Sequence, residues 1–161
     1  MCSPKQFRIN TNCLTLSDVP EDCGDEPRLA EIKEKFGSRV EQIVRGCSDA
    51  LPEEGGVKAD WRFRKEQHIH ELRKASDDVL LVIAADKTHN ASAIATDLNT
   101  LGTGVWKRFN ASSDEIIWYY ERVFELLEIG NITPKLLAPL RSAIETMRFE
   151  PGIYRGTGDP L

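Results

Sequence analysis

Apolar residues recur every three or four positions along most of this chain, which is the spacing of one helix face. Val40, Ile43, Val44 and Cys47 show the pattern clearly. No segment alternates apolar and polar residues as a half-buried strand does, and no internal repeat is present. The pattern therefore predicts an all-α fold. Its helices are predicted at 27–36, 40–47, 61–75, 79–101, 114–127 and 134–148.

Residues that favour helix ends mark several of these boundaries. Gly37 and Gly102 follow predicted helices, and Pro134 stands at the start of the last one. Asp77 or Asp78 is placed to cap the helix that begins at Val79, because a carboxylate accepts hydrogen bonds from free amides of the first turn.

The apolar run 79–85 has the length of a buried strand, but the residues after it favour a helix. At 100° per residue, the face that carries Val82 and Ile83 continues into a polar patch. We therefore expect Val82 and Ile83 to be deeply buried. The patch consists of Asp86, His89, Asn90, Ala93 and Asp97.

A polar patch on a core-facing side needs partners, because buried polar groups are paired, hydrogen-bonded or bound to metal. One interpretation pairs Asp86 with Lys87 or with a neighbouring helix. The other is a metal or phosphate site, in which a carboxylate binds the cation and Asn90 orients a ligand oxygen. The residues alone leave both open.

A second acidic cluster lies in the segment SDVPED, residues 17–22. Asp18, Glu21 and Asp22 place three carboxylates within five positions, and these repel one another unless water or a cation screens them. A solvated acidic loop and a cation site are both compatible with this spacing.

The predicted helix 61–75 is expected to bury Phe63, Ile69 and Leu72. Basic residues are dense around it, interleaved with acidic ones. They form either a solvated helix face or an electrostatic cradle for a polyphosphate. The basic residues are Lys58, Arg62, Arg64, Lys65, Arg73 and Lys74.

Composition narrows the class of protein. The chain has 161 residues, 40% of them hydrophobic and 29% charged, which suits one globular domain. We assign 1–148 to that domain and 149–161 to a flexible Gly/Pro-rich tail. A net charge of −5 argues against nucleic-acid binding. It leaves room for a small phosphorylated ligand, because a bound divalent cation changes the local field.

The cysteines and the apolar runs bear on the compartment. No run approaches the roughly 18 apolar residues of a membrane span, and the first 16 residues lack the apolar core of a signal peptide. The cysteines show no C-x-x-C spacing, so neither a zinc knuckle nor a redox pair is indicated. A cytoplasmic, reduced protein is expected. The four are Cys2, Cys13, Cys23 and Cys47.

Several segments in order resemble a known family. They are SDVPED, EPRLAEIKEKFGSRVEQIVRGCSD, WRFRKEQHIHEL, LLVIAADKTHNASAI, GVWKRF and IIWYYERVFELL. Together they resemble the HD-domain metal-dependent phosphohydrolases over roughly residues 14–145. Within that family the similarity is to the hydrolase domain of the Rel/Spo proteins, which remove pyrophosphate from guanosine tetra- and pentaphosphate.

The resemblance implies a helical domain that holds one divalent cation, typically manganese. It assigns Asp18 and Asp86 as metal ligands, and Glu21 with Asp22 as the pair that positions or activates the attacking water. Asn90 matches a position that contacts the nucleotide. His89 would stand beside the site in a structural role.

The resemblance also implies a nucleotide polyphosphate as ligand and favours the polyphosphate cradle, with Lys65 as a substrate-binding residue.

The chain also departs from the family at the metal site. Ser17 stands where the doublet has its His, and none of the 16 residues before it is a His. Two nitrogen ligands of the family are therefore missing, which predicts weaker metal binding and slow hydrolysis. A relative that binds nucleotide without turnover and a helical interaction protein are the alternatives.

Overall fold

The computed structural model describes residues 26–47, 59–130 and 132–149. Within these ranges the chain is helical, with no β-strand, which confirms the predicted all-α fold. The last four helices end close to the predicted positions. The elements are α1 (Glu26–Phe36), α2 (Ser38–Cys47), α3 (Trp61–Leu72), α4 (Asp77–Leu101), a 3₁₀ segment η1 (Gly102–Arg108), α5 (Ser113–Ile129) and α6 (Pro134–Arg148).

Helix α4 is the centre of the fold, because α2, η1, α5 and α6 all pack against it. Its 25 residues include Ile83 and Ala91, which are almost fully buried. Val82 is only half-buried, so the expectation that it lies deep in the core is wrong. Position 82 faces the edge of the α4 contact surface, while position 83 faces its middle.

Helix α4 begins at Asp77, and its N-cap residue is neither of the two predicted ones. Ser76 is the N-cap residue and its side chain makes no capping hydrogen bond. Asp77 and Asp78 instead occupy the first turn, where their negative charge favours the positive end of the helix dipole. The expectation that Asp77 or Asp78 caps α4 is therefore wrong, because both residues lie inside the first turn.

Helix α2 lies against the start of α4 at short range. A Cβ on Gly46 would come within 2.8 Å of a Val79 methyl carbon, so the backbone of α2 approaches α4 closely there. Arg39 and Asp78 form an exposed ion pair of 2.8 Å between the same two helices. Gly37, between α1 and α2, has φ of 87°, a conformation that favours glycine.

Helices α5 and α6 run antiparallel, as two ion pairs of 2.6 Å show. Arg141 contacts Glu128 near one end of the pair, and Arg148 contacts Glu121 near the other. Their facing sides are apolar and join the core formed with α4. Among the described residues, no helix has the length and apolar character needed to cross a membrane.

Helix α3 buries two of its three predicted core residues. His68, Ile69 and Leu72 are buried, but Phe63 is half exposed, so its expected burial is wrong. Phe63 lies on the outer side of the first turn, where Asp60 caps the helix by accepting from the amide of that same residue. The inner side of that turn carries Trp61.

Candidate functional site

The carboxylate of Asp86 lies in the interior of the helical assembly, on the middle of α4. Its side chain is 6% exposed, and Lys87 Nζ lies 2.8 Å from its Oδ2 atom. Asn90 Nδ2 donates a 3.2 Å hydrogen bond to its Oδ1 atom from one turn further along the helix. Both carboxylate oxygens therefore have a donor on α4 itself.

The Lys87 ammonium is as deeply buried as its partner. Burial alone would lower the pKa of this group, but the neighbouring Tyr119, Asp86 and Tyr120 outweigh that effect, and the pKa lies above its ordinary value. At neutral pH the ion-pair contact with Asp86 is the one that holds the charge. Lys87 is thus an internal cation of the protein.

Helix α3 contributes a second cation to the same region. Trp61, Lys65 and His68 are spaced by four and three positions, so they share the face that looks toward α5. Lys65 Nζ lies 4.9 Å from the centroid of the Tyr119 ring and 5.9 Å from that of Trp61. An ammonium at this range is attracted by the electron-rich face of an aromatic ring.

Tyr119 of α5 joins the two cations. Its ring centroid lies 5.6 Å from Lys87 Nζ, in addition to the Lys65 contact. The rings of Trp61 and Tyr120 meet it edge-on, and His68 packs against it at 6.3 Å between centroids. We call this ring, its neighbours on α3, and Lys87 with the two residues linked to it on α4 the Tyr119 cluster. Its members are Trp61, Lys65, His68, Asp86, Lys87, Asn90 and Tyr119.

Cys47, the last residue of α2, lies close enough to the Tyr119 cluster to respond to its charges. Burial, and to a lesser extent the charge of Asp86, raises the pKa of the thiol to about 11, while Lys87 works in the opposite direction. The thiol is therefore protonated at neutral pH. It is neither a nucleophile nor an anionic ligand in that state.

The structure brings together three of the predicted site residues. Asp86 and Asn90 share a hydrogen bond, and Lys65 meets them through Lys87 and the Tyr119 ring. His89 is exposed. Asp18, Glu21 and Asp22 lie outside the described residues, so the assignment of Asp18 and Asp86 to one cation stays a prediction.

Sequence reasoning missed several members of the Tyr119 cluster. The period from Trp61 through Lys65 to His68 was a readable signal, since these positions repeat at helical spacing. Tyr119 carried no comparable signal. Its role as the junction of α3 and α4 depends on tertiary packing.

Comparison with known proteins assigns this arrangement of helices. The HD domain family model matches residues 13–116, which is most of the chain and includes α1 to α4. The chain belongs to the HD domain family.

A solved structure shares this fold. The 1.85 Å crystal structure of lmo0812 from Listeria monocytogenes EGD-e superposes with a TM-score of 0.60 at 23% identity. The match covers 83% of this chain and 81% of that one, and at this identity it shows a shared fold. None of the curated proteins matches the sequence significantly.

HD domains in general are metal-dependent phosphohydrolases that bind divalent cations. The described residues do not by themselves fit such a cation. They contain no group of three or more His, Cys, Asp or Glu side chains placed to hold one. Asp86, the carboxylate that the resemblance assigns to the metal, is bonded to Lys87 and Asn90.

Proposed function

We propose that this HD domain binds a guanosine polyphosphate, or a related nucleotide polyphosphate, at the Tyr119 cluster. The observation that supports the proposal is the convergence of two ammonium groups, Lys65 and Lys87, on one aromatic ring. Phosphate oxygens bind ammonium donors strongly, and an aromatic surface beside them suits a nucleobase or ribose. The chain is acidic overall, so this local cationic region stands out against its net charge of −5.

Lys65 is the ligand-binding cation in this proposal. It is half-buried, and its ammonium is held near the rings of Trp61 and Tyr119. Lys87 is nearly inaccessible to solvent and neutralises Asp86, so its part is to keep the buried carboxylate from repelling the ligand phosphates. Asn90, whose amide bridges to Asp86, is the proposed contact for a ligand oxygen.

The proposed reaction follows the family resemblance: release of pyrophosphate from the bound nucleotide. Asp18 and Asp86 would be the metal ligands, and Glu21 with Asp22 the water-positioning pair. We propose that turnover is slow, because Ser17 occupies the position of a family histidine. Binding without turnover is the second candidate, and the Asp86–Lys87 pair favours it because a cation is already bonded to the assigned ligand.

Calorimetric titration with guanosine tetraphosphate tests the binding proposal. Lys65→Met should weaken binding about tenfold or more, since a charge-assisted contact to phosphate is lost. Lys135→Met, on the exposed first turn of α6, is the matched control and should leave the affinity unchanged. Equal affinities for wild type and Lys65→Met, or no binding by the wild type, would refute the proposed site.

Release of pyrophosphate from guanosine tetraphosphate, measured with Mn²⁺ for wild type and Ser17→His, separates the two candidates. Ser17→His should tighten manganese binding by adding an imidazole beside Asp18, with only a small gain in turnover. Fast turnover by the wild type would contradict the slow-enzyme proposal. Nucleotide binding without any pyrophosphate release in either protein would favour the non-catalytic candidate.

A further inference from the structure

A cavity of about 400 Å³ lies between the end of α3, the first turn of α4 and the end of α5. We call it the α3–α4–α5 cavity. The described residues that line it include no member of the Tyr119 cluster, so it is a separate space in the molecule. Its volume falls within the roughly 300–1,000 Å³ of small-molecule sites.

The inner wall of the cavity is aliphatic. Leu72, Leu80 and Leu126 line it together with Ile69, and each of the four is 8% exposed or less. A Cβ on Gly130 would come within 2.8 Å of Leu80 Cδ1, so the turn after α5 closes one side. The described part of this wall offers a nucleobase neither a stacking ring nor a buried polar partner. A flexible aliphatic chain suits it, because burial of apolar surface is the interaction that it provides.

The mouth of the cavity carries two arginines and one carboxylate. Arg122 Nη1 lies 2.8 Å from Glu125 Oε2, so these two charges balance each other. Arg73, the residue after α3, is exposed and forms no ion pair with any residue of the described ranges. One positive charge at the mouth is therefore uncompensated. A guanidinium binds a carboxylate through two parallel hydrogen bonds, and a single carboxylate would balance this charge.

We propose that the α3–α4–α5 cavity is a second ligand site, which binds an aliphatic carboxylate of about ten carbons. The carboxylate pairs with Arg73, and the chain lies along the aliphatic wall. Ile129 lines the mouth and is 82% exposed, so the end of the bound chain covers an apolar side chain that otherwise faces water. The proposal goes beyond the nucleotide site and does not depend on it.

Calorimetric titration of the full chain with decanoate, below its micelle-forming concentration, tests the proposal. The affinity should rise about threefold for each methylene added from hexanoate through octanoate to decanoate, because each methylene buries more apolar surface. Decanol has the same chain without the charge. It should bind about tenfold more weakly or worse, since it lacks the two charge-assisted hydrogen bonds to a guanidinium.

Variants at the mouth test the charge. Arg73→Met should weaken decanoate binding about tenfold or more. Lys74→Met is the matched control, because Lys74 is the next residue, pairs with Glu71 and does not line the cavity. Glu125→Gln should tighten binding about threefold or more, since it frees Arg122 from its counter-charge. All three changes are at exposed positions, so the variants should fold.

No decanoate binding by the wild type overturns the proposal, and so do equal affinities for the wild type and Arg73→Met. An affinity that does not change with chain length also counts against it, because only the charge is then recognised. Lys65→Met should bind decanoate as the wild type does, and a loss in that variant would place the ligand at the Tyr119 cluster instead. A failure to bind guanosine tetraphosphate leaves these results unaffected, so the two proposals fail separately.

Discussion

Asn90 donates a 3.2 Å hydrogen bond to the Asp86 carboxylate from one turn further along α4. With the Lys87 contact on the other oxygen, the carboxylate is satisfied within a single helix. Both contacts lie within α4, whereas their burial depends on the packing of α4 against other helices. Substitution of Asp86 therefore tests what the buried pair contributes to stability.

Asp86→Asn should destabilise the fold by about 3–5 kcal/mol, because it leaves the Lys87 ammonium buried without its counter-charge. Asp78→Asn is the comparison, since its ion pair with Arg39 is solvent-exposed and should contribute about 0–1 kcal/mol. Urea denaturation of both variants measures the difference. Losses of similar size would show that the Asp86 pair behaves as a surface pair.

Ile83→Ala should lower the free energy of unfolding by about 2–5 kcal/mol, through lost burial and the cavity left behind. Ile83 is 2% exposed at the centre of the core. Leu81→Ala, two residues away and 49% exposed, should have a much smaller effect and serves as the control. Chemical denaturation that ranks Leu81→Ala as the more damaging change would contradict the orientation of α4.

The Cys47 thiol should react slowly with iodoacetamide until strongly alkaline pH, since burial and Asp86 raise its pKa to about 11. A variant with Cys2, Cys13 and Cys23 changed to Ser isolates the reaction. Adding Asp86→Asn should move the midpoint of the rate-versus-pH curve to lower pH.

The raised pKa of the Cys47 thiol also makes the stability of the fold depend on pH. The folded state holds the thiol proton more tightly than the unfolded state. The stabilisation that this proton gives the folded state is therefore complete below pH 9.0 and is lost as pH rises through about 11. A Cys47 that reacts like an exposed thiol at neutral pH would contradict the placement of α2.

Ser112→Ala should cost about 1 kcal/mol, because Ser112 caps α5 through a capping box with Glu115. Ser142→Ala, inside α6, is the control and should be close to neutral. Hydrogen bonds from the Ser112 backbone and side chain lower the pKa of Glu115. The stabilisation from that carboxylate is present above its ordinary pKa of 4.5 and is lost as pH falls through its lower folded value. The difference between Ser112→Ala and wild type should therefore shrink in acid.

The helices could be predicted from the sequence because their ends and their apolar faces are marked by residues close together in the chain. Pro134 to Arg148 was predicted as a helix and forms one with those bounds, since proline at the first helical position and a regular apolar face agree. The same reasoning gave a wrong prediction for Phe63. Its apolar character suggested burial, but the helix phase set by Trp61 and Ile69 turns position 63 toward solvent.

The candidate site was only partly readable. Asp86 and Asn90 were identified from the sequence because two polar residues four positions apart on a core-facing stretch of helix need hydrogen-bond partners. The pairing with Lys87 was one of two alternatives that the residues left open, because adjacent side chains on a helix meet only in particular rotamers. The Tyr119 ring reaches Lys65 and Lys87 from another helix, and a contact of that kind is fixed by packing alone.

The missing side chain at Gly46 sets the separation of α2 and α4, because the space a Cβ would occupy is filled by the Val79 methyl groups. Positions 46 and 79 therefore share one fixed volume, and atoms added at one must be removed at the other. Gly46→Ala should be tolerated when it is combined with Val79→Ala and should push the helices apart when it is made alone. Because α2 ends at Cys47, beside the Tyr119 cluster, Gly46→Ala would change the shape of the site without altering any charged group.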